Sequence, residues 1–252
     1  MQTQDPDLMR RYFSGYFEDR RSLSTGLFTS ERYLLDGVRS AYSQGCVIGT
    51  HAPASHHNLS VLRDAGISRV TVLLRDPRDS TVSWTYHLRS IGPDLRNFHT
   101  LAYHFPLDYY DWEFKQQLSY QVKVFLPAAV SWIESWRDAS EHMPELSIQL
   151  VGFKELAETP QDMFRRVLSF HGIKNFDIGR IPKPEPGQRH FRAGRSGDWK
   201  SEFSTADAVL AESLLGGRLA GVPQIFDAGE SMAGRRQPVE FREDERCVGE
   251  LR

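Results

Sequence analysis

Residues 69–84 read RVTVLLRDPRDSTVSW. Arg69 to Leu74 are rich in β-branched and apolar side chains, the pattern of a buried strand. The run stops at Arg75. Asp76 is placed to cap a helix, and Pro77 suits a first helical position, where its missing N–H costs nothing. Asp79 falls in the first turn. The pattern predicts a strand over 69–74 and a helix from Pro77 to about Leu88. A strand that ends on Arg75 beside a helix N-terminus puts a guanidinium where anions bind readily.

Outward from this unit, strands are predicted at CVIG, residues 46–49, and at LSIQLVGF, residues 146–153. Helices are predicted over 30–42, over 59–65, from about Ser119 to Trp136 and from about Thr205 to Leu219. The first would be capped by Ser30, with Tyr33, Leu34, Val38 and Tyr42 on one face. Pro127 marks a kink or a start in the third. Thr159-Pro160 opens another helix, with Met163, Val167 and Phe170 on one face. Strands alternating with helices predict an α/β fold with a largely parallel sheet, whose ligands sit beyond the carboxyl ends of its strands. Residues 91–115 form a long aromatic connection. Its Phe98, Tyr103, His104, Phe105, Tyr109 and Trp112 either line an acceptor pocket or pack beneath the loop. Residues 1–230 read as a single domain and 231–252 as a polar, loosely ordered tail.

The 252 residues carry a formal net charge of -2. That balance points away from nucleic acid and membrane surfaces as partners. Cys46 and Cys247 form neither a metal-ligand pattern nor a disulfide framework, so a reducing compartment is expected. No apolar run approaches a membrane span, and the first residues lack the apolar segment of a secretory signal. A soluble, cytoplasmic protein is the expectation.

Three segments hold groups that could carry chemistry. In the first, Arg75 and Ser83 would suit a phosphate, the arginine as a fork and the serine as a hydroxyl donor. The plainer reading is an arginine of this segment paired with Asp76 or Asp79, at a solvated helix start. In the second, FRAGRSGDWK, residues 191–200, glycines and arginines alternate, and exposed N–H groups could wrap an anion. An ordinary glycine-rich turn would read the same way. In the third, VIGTHAPAS, His51 follows a strand and is a candidate general base. It could equally be a structural histidine, and His56 and His57 stand close by.

Together these segments resemble the sulfotransferases that use 3′-phosphoadenosine 5′-phosphosulfate (PAPS). LLRDPRDSTVSW resembles that family's 3′-phosphate segment, RAGRSGDWK its C-terminal glycine loop and GTHAP its Lys-Thr-His-Leu-Pro segment, in family order. The resemblance covers about residues 46–205. It implies that Arg75 and Ser83 bind the 3′-phosphate, and that Arg192, Gly194 and the backbone of Ala193 contact it from the loop. It implies Phe153 near the adenine and His51 as catalytic base, with no metal. The implied fold is a P-loop-type parallel sheet flanked by helices. The implied reaction passes a sulfuryl group from PAPS to a hydroxyl or amine of a small-molecule or glycan acceptor, leaving 3′-phosphoadenosine 5′-phosphate (PAP).

The chain departs from the family in several places. No Pro-Lys-Ser-Gly-Thr-Thr-Trp type of phosphosulfate loop occurs in residues 1–50, so the N-terminal strand and its loop are expected to be missing. Gly49 and Ala193 stand where the family has lysines, and the dimer motif beginning at Lys200 loses its Val and Glu, which leaves the oligomeric state open. Two explanations stand for the missing loop. In one, the true start lies upstream of Met1. In the other, the protein is a non-catalytic relative that binds a nucleotide or a partner. The first is the expectation, because the arginine and histidine segments are intact. On it, the chain as given has little or no transferase activity and poor solubility.

Overall fold

The computed structural model describes residues 24–25, 33–34, 37–43, 49–174, 177–179, 181, 196–219 and 221–222. The strand expected at 46–49 falls largely outside them, as do the tail and the loop residues Arg192, Ala193 and Gly194.

The opening stretch folds as its residues direct. Strand β3 spans Arg69–Leu74 and helix α3 spans Pro77–Ser90. Asp76 caps the helix, its Oδ1 accepting the Arg78 N–H at 2.8 Å. The connection after α3 is mostly helical: α4 covers Pro93–Tyr103, and a 3₁₀ turn covers Tyr109–Asp111. Helix α5 is longer than expected, Phe114–His142, and Pro127 lies within it without ending it. Strand β4, Ser147–Gly152, then pairs in parallel with β3, with Arg69 opposite Ser147 and Leu74 opposite Gly152. Helices α6 (Phe153–Glu158) and α7 (Pro160–Phe170) follow directly. After the loop come α8 (Trp199–Glu202) and α9 (Thr205–Leu215), the latter capped by Ser204 and closed by Gly216 in the left-handed region. The result is a small parallel sheet flanked by helices.

Val72 and Leu74 of β3 enter one core with Val122, Leu126, Val130 and Ile133 of α5 and Leu215 of α9. Each such side chain contributes about 1.5–3 kcal/mol through burial. The long helix therefore backs the sheet and holds its carboxyl end in place.

The N-terminal part corrects the sequence reading. Tyr33–Leu34 form strand β2, antiparallel to β1 at Ser24–Thr25, and helix α1 covers only Gly37–Ser43. Leu34 is extended because helix α2, His56–Asp64, takes up its polar backbone. The Leu34 N–H donates to Asn58 Oδ1 at 2.8 Å, and its carbonyl accepts from His57 Nε2 at 3.1 Å. Buried Asn58 in turn donates to the Pro53 carbonyl at 2.8 Å. Val38 is buried as expected, while Tyr33 and Tyr42 are exposed. Among the described residues, no helix is long and apolar enough to cross a membrane.

Candidate active site

The two arginines of the opening stretch have different work. Arg78 is 4% exposed and belongs to the scaffold. Its Nε lies 3.0 Å from Asp76 Oδ1 and its Nη2 2.6 Å from Asp76 Oδ2, while Nη1 reaches Glu212 at 2.8 Å. The face of its guanidinium lies 3.8 Å from the centre of the Trp199 ring. The plain ion pair anticipated for this segment exists, and Arg78 makes it with Asp76.

Arg75 stands one residue past β3, and its guanidinium carbon lies 4.6 Å from the centre of the Phe153 ring. Register produces this meeting. Leu74 and Gly152 are the last paired residues of the two strands, so the residues that follow them leave the sheet side by side. Phe153 then opens α6, with the Gly152 N–H received by Glu155 Oε1 at 3.3 Å. Ser83 lies two turns into α3 and is half-buried; its hydroxyl has no hydrogen-bond partner among the described residues.

The end of the glycine-rich segment, Gly197 and Trp199, is fastened to α3. Asp79 is 1% exposed. It accepts the Gly197 N–H at 2.7 Å and the Trp199 N–H at 3.1 Å, across 118 and 120 residues of sequence. Gly197 has φ 87°, a left-handed conformation that favours glycine. Burial pushes the Asp79 carboxyl above its ordinary range, and the two N–H donors and the Arg75 charge work against that rise. Farther along, Tyr86 donates to Glu202 Oε1 at 2.9 Å, and Lys115 Nζ meets Glu202 Oε2 at 2.9 Å. Segment 197–202 is thus strapped to α3 at both ends.

His51 is exposed and lies on a separate stretch, anchored to α5. Trp132 Nε1 donates to the His51 carbonyl at 2.9 Å, and Trp136 Nε1 to the Ala52 carbonyl at 3.1 Å. His57 is occupied with Leu34, as described above. The sequence reading missed the fastening made by Arg78, Asp79 and Trp199. Its signal was there, in the alternating charges of Asp-Pro-Arg-Asp and in the tryptophan of Gly-Asp-Trp-Lys.

Of the aromatic connection, Phe105 and Tyr109 are core residues, 5% and 0% exposed. Tyr103 and Trp112 are half-buried against them, His104 is exposed, and the Phe98 side chain is outside the described set. A separate cavity of about 480 Å³ is lined by Lys115, Ser119, Glu202, Ser204 and Asp207, among others. Its lining includes none of Arg75, Ser83, Phe153 and His51, and its polar groups pair with one another: Lys115 with Glu202, and Ser119 and Ser204 with Asp207.

A family model described as a sulfotransferase domain matches residues 36–222. The match spans the sheet, the arginine segment and the glycine loop. The chain belongs to the sulfotransferase domain family, and its function is of the sulfotransferase type. Comparison with curated proteins and with solved structures gave no match.

Proposed function

We propose that this chain transfers a sulfuryl group from PAPS to a hydroxyl or amine of a small-molecule or glycan acceptor. The observation that carries the reading is the fastening of Gly197 and Trp199 to Asp79. It holds residues 197 and 199, at the end of the glycine-rich segment, against the helix that follows Arg75, which supports reading the two segments as parts of one anion site.

The residues at hand suit a 3′-phosphorylated adenine nucleotide. Phe153 offers an aromatic face, Arg75 a guanidinium beside it, and Ser83 an uncommitted hydroxyl. PAPS, when bound, supplies the sulfuryl group and a nucleotide leaving group. In this reading Arg75 and Ser83 hold the 3′-phosphate, joined by Arg192, Gly194 and the Ala193 backbone, and Phe153 lies against the adenine. His51 takes the acceptor's proton on its imidazole. Catalysis then rests on positioning and on fixed donors around developing charge.

Calorimetry with PAP and AMP tests the cofactor reading, and sulfate transfer from labelled PAPS to hydroxyl and amine acceptors tests the reaction. PAP is expected to bind far more tightly than AMP. Equal affinity for the two would overturn the cofactor reading, and tight PAP binding without transfer to any acceptor, by a form extended to include a phosphosulfate loop, would overturn the enzymatic one.

A further inference from the structure

We propose that Ser80 is a second hydroxyl ligand of the 3′-phosphate, acting with Ser83 as a two-hydroxyl clamp on one face of α3. The inference rests on the cofactor reading above and adds a residue to that site.

Helix α3 carries several hydroxyl side chains, and they divide into two groups. Thr81 and Thr85 are fully buried and turn back onto their own helix, donating to the Pro77 carbonyl at 2.7 Å and the Thr81 carbonyl at 2.8 Å. Such back-bonding to the fourth preceding carbonyl is the usual outlet for a hydroxyl inside a helix. Ser80 and Ser83 do not use it. Both are half-buried, and neither hydroxyl has a hydrogen-bond partner among the described residues. They stand three residues apart, so their side chains are neighbours on one face, with Cβ atoms about 5–6 Å apart. A single phosphate can accept from both.

The elements around them point the same way. Pro77, Arg78, Asp79, Thr81, Val82, Thr85 and Leu88 are the buried residues of α3, and the Asp79 carboxylate is taken up by the Gly197 and Trp199 N–H groups, which leaves Ser80 and Ser83 on its partly open side. Ser80 is in the first turn or just past it, close to the strand end where Arg75 emerges. The Ser80 N–H is already used, donating to the Asp76 carbonyl at 2.9 Å, so the residue's contribution is its hydroxyl. Two hydroxyls and a guanidinium give an anion donors from the helix face and from the strand end together.

Ser80→Ala, Ser83→Ala and the double variant, each titrated calorimetrically with PAP and with AMP, test the clamp. Alanine favours a helix, so these variants keep the fold, and thermal melts verify it. Ser80→Ala is expected to weaken PAP binding about tenfold, the effect of one hydrogen bond to a charged group, and to leave AMP binding unchanged. The double variant is expected to lose more than the product of the single losses, because in each single variant the remaining hydroxyl shifts to hold the anion and in the double variant none remains. Wild-type PAP affinity in Ser80→Ala, alongside a loss in Ser83→Ala, would overturn the clamp and leave the cofactor reading standing. A wild-type chain that binds PAP no better than AMP would overturn both.

Discussion

The guanidinium of Arg75 lies over the ring of Phe153, carbon to ring centre 4.6 Å, at the point where two paired strands end together. A cation beside an aromatic face matches the two ends of a phosphorylated nucleoside. Arg75→Ala and Ser83→Ala are therefore expected to weaken PAP binding, the arginine by about 2–5 kcal/mol, with little change for AMP. Phe153→Leu should weaken PAP and AMP alike, by about 1–3 kcal/mol if the ring stacks on the base. Equal losses for both ligands in Arg75→Ala would remove Arg75 from the phosphate.

Asp79 holds Gly197 and Trp199 through their backbone N–H groups. Asp79→Asn keeps the shape but replaces one acceptor oxygen with a donor. Hydrogen exchange of segment 196–200 is expected to speed up in that variant, and the PAP preference over AMP to shrink. Unchanged exchange would mean that the strap does not depend on this carboxylate.

His51 is exposed on a segment pinned by indole N–H groups, whereas His57 is tied to the Leu34 carbonyl. In any form of the protein that transfers sulfate, His51→Ala should slow turnover by about 10²–10⁴-fold, as expected for loss of a general base. PAP affinity should persist. His57→Gln should lower stability and keep turnover. The reverse pattern, with turnover lost at His57 and kept at His51, would reassign the base.

Arg78 and Asp76 form a buried pair, with side chains 5% and 9% exposed. Arg78→Met leaves the Asp76 carboxylate without its main partner and should cost about 3–5 kcal/mol in urea unfolding. Glu212, whose side chain is 50% exposed, also contacts Arg78. Glu212→Gln should cost less than about 1 kcal/mol. Similar costs for the two variants would show that Arg78 is not the centre of this network.

Burial, with a smaller contribution from the His87 charge, lowers the imidazole of His99 to about 4 from an ordinary value of 6.5. The unfolded chain then binds a proton between these values that the folded chain refuses. The folded state keeps its full advantage above pH 6.5 and loses it progressively as pH falls toward 4. Urea midpoints at pH 7 and pH 5 should differ more in the wild type than in His99→Leu. The same difference in both would place the acid sensitivity elsewhere.

The sequence alone determined the strand from Arg69 to Leu74, the Asp76 cap and the helix behind it, because each depends on neighbours a few residues away. It also determined the parallel α/β architecture, through the alternation of strand and helix. Tertiary structure decided which charges meet. Asp76 could have paired with Arg75, but the cap geometry and the Trp199 ring hold Arg78 over it. Tyr33, Leu34, Val38 and Tyr42 together have the spacing of a helix face, yet Asn58 and His57 draw the Leu34 backbone into an extended form. The meeting of Arg75 with Phe153 required the register of β3 on β4, and the meeting of Asp79 with Gly197 required the whole domain to close. Pairings across 78 or 118 residues leave no local trace in the chain, since what selects them is the packing of the elements in between.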